Sequence, residues 1–258
     1  MNAAWKPTRR VGATTRLLVA AGMLCLAACS TAQGPDPWRK VNEHVFGFNE
    51  GVDKGLLEPV AKGWHFVIPE PIERGIGNFF VNLTMPRTLA CDLLQAKPDK
   101  AAEDLGRLMV NTIFGLGGLI DVASKRSDIP KNDEDFGQTF GRWGTPAGPY
   151  VVLPLAGPDT VRDTLTAPLD IASNPTTWLN VFGLSVVRVV NTRARYLAEI
   201  DQSRKDAVDY YVFVRAAYLQ NRERAVSDGA SGTGQQEEDL YNLEGVDDQG
   251  SESQDANP

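Results

Sequence analysis

The sequence predicts an all-α protein with an N-terminal anchor, and three observations carry that expectation. Apolar residues recur at helical spacing in one segment after another. The stretches between them are loops rich in glycine and proline. The chain also opens with bases, then an apolar run, then small residues ending at Cys29.

Lys6, Arg9, Arg10 and Arg16 precede the apolar run from Leu17 to Ala28, a secretory layout. Its end, Leu26-Ala27-Ala28-Cys29, resembles a bacterial lipobox, in which the cysteine is lipidated and becomes the first mature residue. Ser30 follows, where aspartate would signal retention, so the resemblance implies sorting to the outer membrane. With Cys25 removed and Cys29 lipidated, Cys91 stands alone, which excludes a disulfide framework.

The 258 residues carry a formal charge of −7, which argues against nucleic acid as a partner. Nine acids lie beyond Val226, where there is no lysine or arginine, so the charge belongs to the tail. The expected organisation is a signal peptide at 1–28, a tether at 29–37, a helical domain at 38–226 and an acidic disordered tail at 227–258.

Taken in order, Val41, Val45, Phe48 and Val52 place one amphipathic helix after Trp38, and Pro59 opens a second through Trp64. Pro69-Glu70-Pro71 starts another, which Pro86 is expected to break. Pro98-Asp99 begins the most regular helix. Ala101, Leu105, Leu108, Met109 and Phe114 form its apolar side, with Asp104 and Arg107 expected in water. Ser124 to Phe136 reads as an exposed loop, and a solvated loop explains its Asp133-Glu134-Asp135 cluster as well as a cation site would. Gly137 to Pro158 reads as an extended loop with one strand at Tyr150 to Leu153. Helix returns from Asp159 to Ile171. Charged amphipathic helices follow from Arg188 to Arg224, with a break near Ser203.

Asn111 to Asp121, NTIFGLGGLID, is the most distinctive stretch. Gly115, Gly117 and Gly118 deny it ordinary helix stability. It is no phosphate-binding loop: the Gly-Lys-Ser/Thr ending is missing, and the third glycine of a dinucleotide fingerprint would fall on Ile120. What remains is a close-packed bend or a hinge in apolar surroundings.

Nothing demands an enzyme. There is no Gly-x-Ser-x-Gly, His-Glu-x-x-His or Cys-x-x-Cys, and His44 and His65, the two histidines, sit beside bulky apolar residues as core or interface groups do. No cofactor and no metal is expected. The pattern fits helices lying in a bilayer interface, with apolar faces sunk roughly 5–10 Å. It fits equally a soluble helical domain hung from an anchor.

Several blocks resemble one family. They are Asp36-Pro37 with Asn42 and Phe48-Asn49; Asn111-Thr112-Ile113 through Gly117-Gly118-Leu119-Ile120-Asp121; Gly148-Pro149-Tyr150-Val151 through Gly157 and Val161-Arg162-Asp163; Thr192-Arg193-Ala194; and Val214-Arg215 with Ala217-Tyr218. Together, from about Asp36 to Arg224, they are similar to the MlaA (VacJ) family of phospholipid-transport lipoproteins. Gly47 and Glu50 depart from the Asn-Phe richness of some members. The resemblance implies a ring-like bundle of short amphipathic helices in the inner leaflet of the outer membrane. An amphipathic channel through it would pass misplaced outer-leaflet phospholipid to a soluble periplasmic lipid carrier, and a trimeric porin would hold the ring. Gly115, Leu116, Gly117, Gly118, Leu119, Ile120 and Asp121 would line or hinge the channel. Trp143, Tyr150, Arg162 and Arg188 are candidate headgroup or interface contacts. The alternative is a lipoprotein that scaffolds a porin or the envelope without moving lipid.

Overall fold

The computed structural model describes residues 36–126, 131–178 and 182–229. The signal peptide, Cys29, most of the tether and the tail beyond Gly229 lie outside them.

Helix α1 (Arg39–Val52) passes through a π-helical turn (Asp53–Leu57) directly into α2 (Glu58–Val67), so Gly51 and Gly55 bring no break. Helix α3 (Glu70–Leu94) runs straight past Pro86, which corrects the expected break. Proline removes only one N–H, and the packing of α3 along α4 (Pro98–Ile113), the most extensive helix contact described, carries it across. The glycine-rich turn then leads to α5 (Val122–Arg126).

Residues expected in an extended loop instead form α6 (Phe136–Arg142). Asp135 caps it, accepting a 2.7 Å bond from the Gln138 N–H. Strand β1 (Tyr150–Leu153) falls where the sequence places it, and it pairs antiparallel with an unforeseen β2 (Gly157–Thr160), Tyr150 opposite Thr160. Leu155 and Gly157, both with positive φ, turn the hairpin. Then come α7 (Val161–Ser173), α8 (Pro175–Trp178), α9 (Phe182–Arg195), α10 (Leu197–Asp206) and α11 (Tyr210–Val226). The last break falls at Ala207–Asp209, where Asp209 caps α11, and not at Ser203.

Two asparagines seven residues apart on α1 hold the free edge of β1. Asn42 accepts from the Val152 N–H at 2.9 Å and donates to the Tyr150 carbonyl at 3.1 Å. Asn49 does the same for Leu155 (2.8 Å) and Leu153 (2.9 Å). Their amides take the place of a third strand, since unpaired edge groups are costly when buried. The small apolar core sits beside them: Tyr150, Val152 and Tyr211, flanked by Val45, Phe46, Tyr218 and Leu219. The Asp36 carboxylate accepts from Tyr211 and from Asn42, which fastens the end of the tether to α11 and α1.

Candidate functional site

The helices are built with their polarity reversed. On α4 the buried side chains are Ala101, Asp104, Arg107 and Asn111, while Leu105, Met109 and Ile113 face outward. The expectation that Asp104 and Arg107 stay in water is therefore corrected. On α7 Arg162, Asp163 and Thr166 are inside and Leu165, Leu169 and Ile171 outside. Helix α1 buries Asn42 and exposes Val41 and Phe48. Among the described residues, buried polar and charged side chains outnumber buried apolar ones. A soluble helix turns its apolar stripe to the core; these turn it away.

The buried charged groups have partners, as burial of charge requires. Arg222 of α11 grips Asp135 with both terminal nitrogens (2.6 and 2.7 Å) and Asp163 with its Nε (2.7 Å). Burial pushes the Asp163 carboxyl up, but the Arg222 and Arg162 guanidinium groups hold it below the usual range. Arg193 is bidentate on Asp53 (2.9 and 3.0 Å), and Arg204 joins Glu50, Asp53 and Glu58. Of the Asp133-Glu134-Asp135 cluster, Asp133 stays in solvent as a solvated loop would have it, while Glu134 and Asp135 are drawn inward. Asp133 accepts from Arg87, Glu134 from Gln95 and Lys97, and Asp135 from Arg222. The histidines are exposed rather than core: His44 sits on the Lys40 carbonyl, and His65 on the buried Glu73.

The glycine-rich stretch is a tight turn held from both ends. Leu116, Gly117 and Gly118 all take positive φ, a run only glycine-rich sequence allows. The Gly118 N–H donates to the Asn111 carbonyl and the Ile120 N–H to that of Gly115, each at 2.9 Å. A side chain on Gly115 would overlap the Ile120 and Asn111 carbonyls, and one on Gly118 would overlap Asn82. Gly117 has open space around it. The turn closes on Asp121, which accepts from Arg107 (2.6 Å), Asn111 (3.1 Å) and the Ser124 hydroxyl (2.9 Å). Outside it stand Ile113, Phe114, Leu116, Leu119 and Ile120, an exposed apolar ridge continuous with Leu105 and Met109 of α4.

A family model described as "MlaA lipoprotein" matches residues 34–225, which takes in every described element except the last residue of α11. The chain belongs to the MlaA lipoprotein family.

Individual MlaA relatives agree over most of their length. The "Intermembrane phospholipid transport system lipoprotein MlaA" of Haemophilus influenzae is 36% identical over 201 residues, covering 75% of this chain and 80% of the relative. That of Escherichia coli K12 is 32% identical over 222 residues, 82% and 88% of the two chains. A solved structure described as "Structural basis for maintenance of bacterial outer membrane lipid asymmetry" superposes with a TM-score of 0.67 at 33% identity. It covers 75% of this chain and all of that one. The mostly helical fold of the MlaA family is thereby established, with a two-stranded hairpin set into it.

The expected site residues of this MlaA chain fall into three groups. Gly115 to Asp121 stay together as one turn. Trp143 and Arg188 are exposed, Trp143 donating its indole N–H to the Leu94 carbonyl at 3.1 Å beside outward-facing Leu93 and Leu94. Tyr150 and Arg162 are inside, which corrects their placement at a surface. Tyr150 is 3% exposed in the core with Arg215 over its ring, and Arg162 is 6% exposed and donates to Asp163. Asn82, Arg107 and Arg222 escaped sequence reasoning as determinants, and Asn42 and Asn111 enter it only as members of the family blocks. The signal was present in Asp104, Arg107 and Asn111, whose spacing puts three polar groups on one helix face.

Proposed function

We propose that this chain removes mislocalised phospholipid from the outer leaflet of a Gram-negative outer membrane and so maintains lipid asymmetry. It is anchored through Cys29 on the periplasmic side and lies in the inner leaflet. Lipid moves through an amphipathic channel to a soluble periplasmic carrier, and a trimeric porin holds the protein in place. The MlaA relatives, named for intermembrane phospholipid transport, support this reading.

One observation carries it, the reversed polarity of the helices. None of the described helices is long and apolar enough to cross a membrane. A bundle whose helices lie in the bilayer needs no such span. Its apolar faces meet acyl chains while its buried polar groups satisfy one another. The ridge of Met109, Ile113, Leu116, Leu119 and Ile120 is then lipid-facing, and the glycine turn sits at that boundary. Exposed Trp143 and Arg188 suit the headgroup region.

The test is surface-exposed phospholipid in a strain lacking the gene, with and without the wild-type copy. A rise on deletion, reversed by complementation, is the expected result. No change, with the protein still in the outer membrane, would favour the scaffold that moves no lipid.

A further inference from the structure

The segment from Lys131 to Asp135 crosses α3 and α4 and is buttoned down by consecutive side chains. Lys131 reaches Asn78, Asp133 takes Arg87, Glu134 takes Gln95 and Lys97, and Asp135 takes Arg222. The central button differs from the rest. The Asn132 amide nitrogen donates to Asp104 at 2.8 Å and lies 3.4 Å from both oxygens of Asp92. The two carboxyl groups thus meet at one amide, and they are 0% and 1% exposed. Two carboxyl groups sharing a buried site do not both ionise readily, so one of them keeps its proton.

We propose that Asp92 and Asp104 hold one proton between them and that Asn132 closes on the protonated pair, so that residues 131–135 form a proton-dependent strap across α3 and α4. The surroundings do not neutralise a second negative charge. From the α3–α4 connection Lys97 faces the pair, but it is engaged by Glu134 at 3.1 Å and by Asp228. From the strap, Glu134 adds a further negative charge. Arg87 of α3 is taken up by Asp133 of the strap and Asp170 of α7, and Arg107 of α4 by Asp121. Burial first, and then the hydrogen bond and charge of Asp104, push the Asp92 carboxyl up to about 7.

The sign follows from that direction. A carboxyl raised in the folded state binds its proton more tightly there than in the unfolded chain. The strap is therefore closed below about 7 and loosens as the pH rises through that value. Ionisation leaves two charges side by side without solvent, and admitting water means lifting Asn132. This device does not depend on what the protein transports.

Hydrogen exchange of the 131–135 backbone tests it, using the lipidated full chain in phospholipid nanodiscs. Rates are corrected for intrinsic exchange and compared at about pH 6 and about pH 8.5. Wild type is expected to lose about tenfold in protection at the higher pH. Asp92→Asn, whose amide stands for the neutral acid, is expected to keep its protection at both. Equal protection of wild type at the two pH values, or the same fall in Asp92→Asn, overturns the proposal. If that variant fails to fold, Asp104→Asn serves in its place. The infrared band of a protonated carboxyl in wild type gives an independent reading. It should be present near pH 6 and lost near pH 8.5, and its absence at the lower pH overturns the proposal as well.

Discussion

The Arg107 guanidinium donates to Asp121 across 2.6 Å, with both side chains almost entirely inside the protein. That bond joins the middle of α4 to the first residue after the glycine-rich turn, and it fixes where the exposed ridge returns to the body. Removing one partner leaves the other charged and buried. Asp121→Ala is expected to lose about 3–5 kcal/mol of stability, measured by denaturant unfolding in detergent. Asp121→Asn, which keeps a hydrogen-bond acceptor, should lose less.

The same carboxylate gives an acid limit. Burial pushes Asp121 up, but hydrogen bonds from Ser124, Asn111 and Arg107 outweigh it and hold it at about 2. A carboxylate depressed in the folded state contributes stability above its unfolded range and loses it as the pH falls through the folded value. Unfolding free energy should therefore drop between about pH 4 and about pH 2, and Asp121→Asn should flatten that part of the profile. Asp92 acts in the opposite direction and at higher pH, so the two are separable in a single titration.

Substitutions in the glycine turn should rank by what a new side chain meets. Gly115→Ala runs into the backbone carbonyls of Asn111 and Ile120, which cannot step aside, and should be the most disruptive. Gly117→Ala has open space and carries only the positive-φ cost of about 1 kcal/mol. Thermal melts of the two variants check the order. If Gly117→Leu left lipid asymmetry unchanged in cells, a hinge at that position would be excluded.

Charge on the ridge should separate folding from membrane contact. Met109 and Ile113 touch little within the chain, at 53% and 64% exposed. Met109→Glu and Ile113→Glu are expected to keep the helical circular dichroism of wild type. Each should weaken flotation with phospholipid vesicles by about 2 kcal/mol or more. Unchanged flotation of the double variant would contradict the lipid-facing assignment.

Asn42 offers a test of the hairpin. Its amide joins Tyr150, Val152 and Asp36, and Asn42→Ala leaves a buried N–H and a buried carbonyl without partners. A loss of about 2–4 kcal/mol is expected. Hydrogen exchange should locate the damage at the Val152 amide.

Much of this was legible in the sequence because periodicity survives reversal. An apolar stripe at helical spacing marks a helix whichever way it faces, so α1, α4, α7 and α11 were readable, as was β1 to the residue. Which face goes inside was not legible, because the rule that apolar means buried assumes water outside. Asp104 and Arg107 read as solvent-facing for that one reason. Pro86 reads as a break in α3 because a single missing N–H is visible in the sequence, whereas the flank of α4 that compensates it is not. Glu134 and Asp135 read as solvated because their partners, Lys97 and Arg222, are distant in sequence. Of the candidate site, the glycine turn was visible locally. Its clasp by Arg107 and Asn82 depends on α3 and α4 lying side by side, which no short window of sequence contains.

The reversed polarity of the helices also bears on how such a chain reaches its destination. In water the hydrophobic effect favours hiding Leu105, Met109, Leu165 and Phe66 against one another, an arrangement that competes with the native one. On the proposed lipid-facing assignment, the native form has to be shielded from water until it reaches a lipid surface. The chain is expected to travel under the cover of a carrier and to complete its packing only where acyl chains replace that cover.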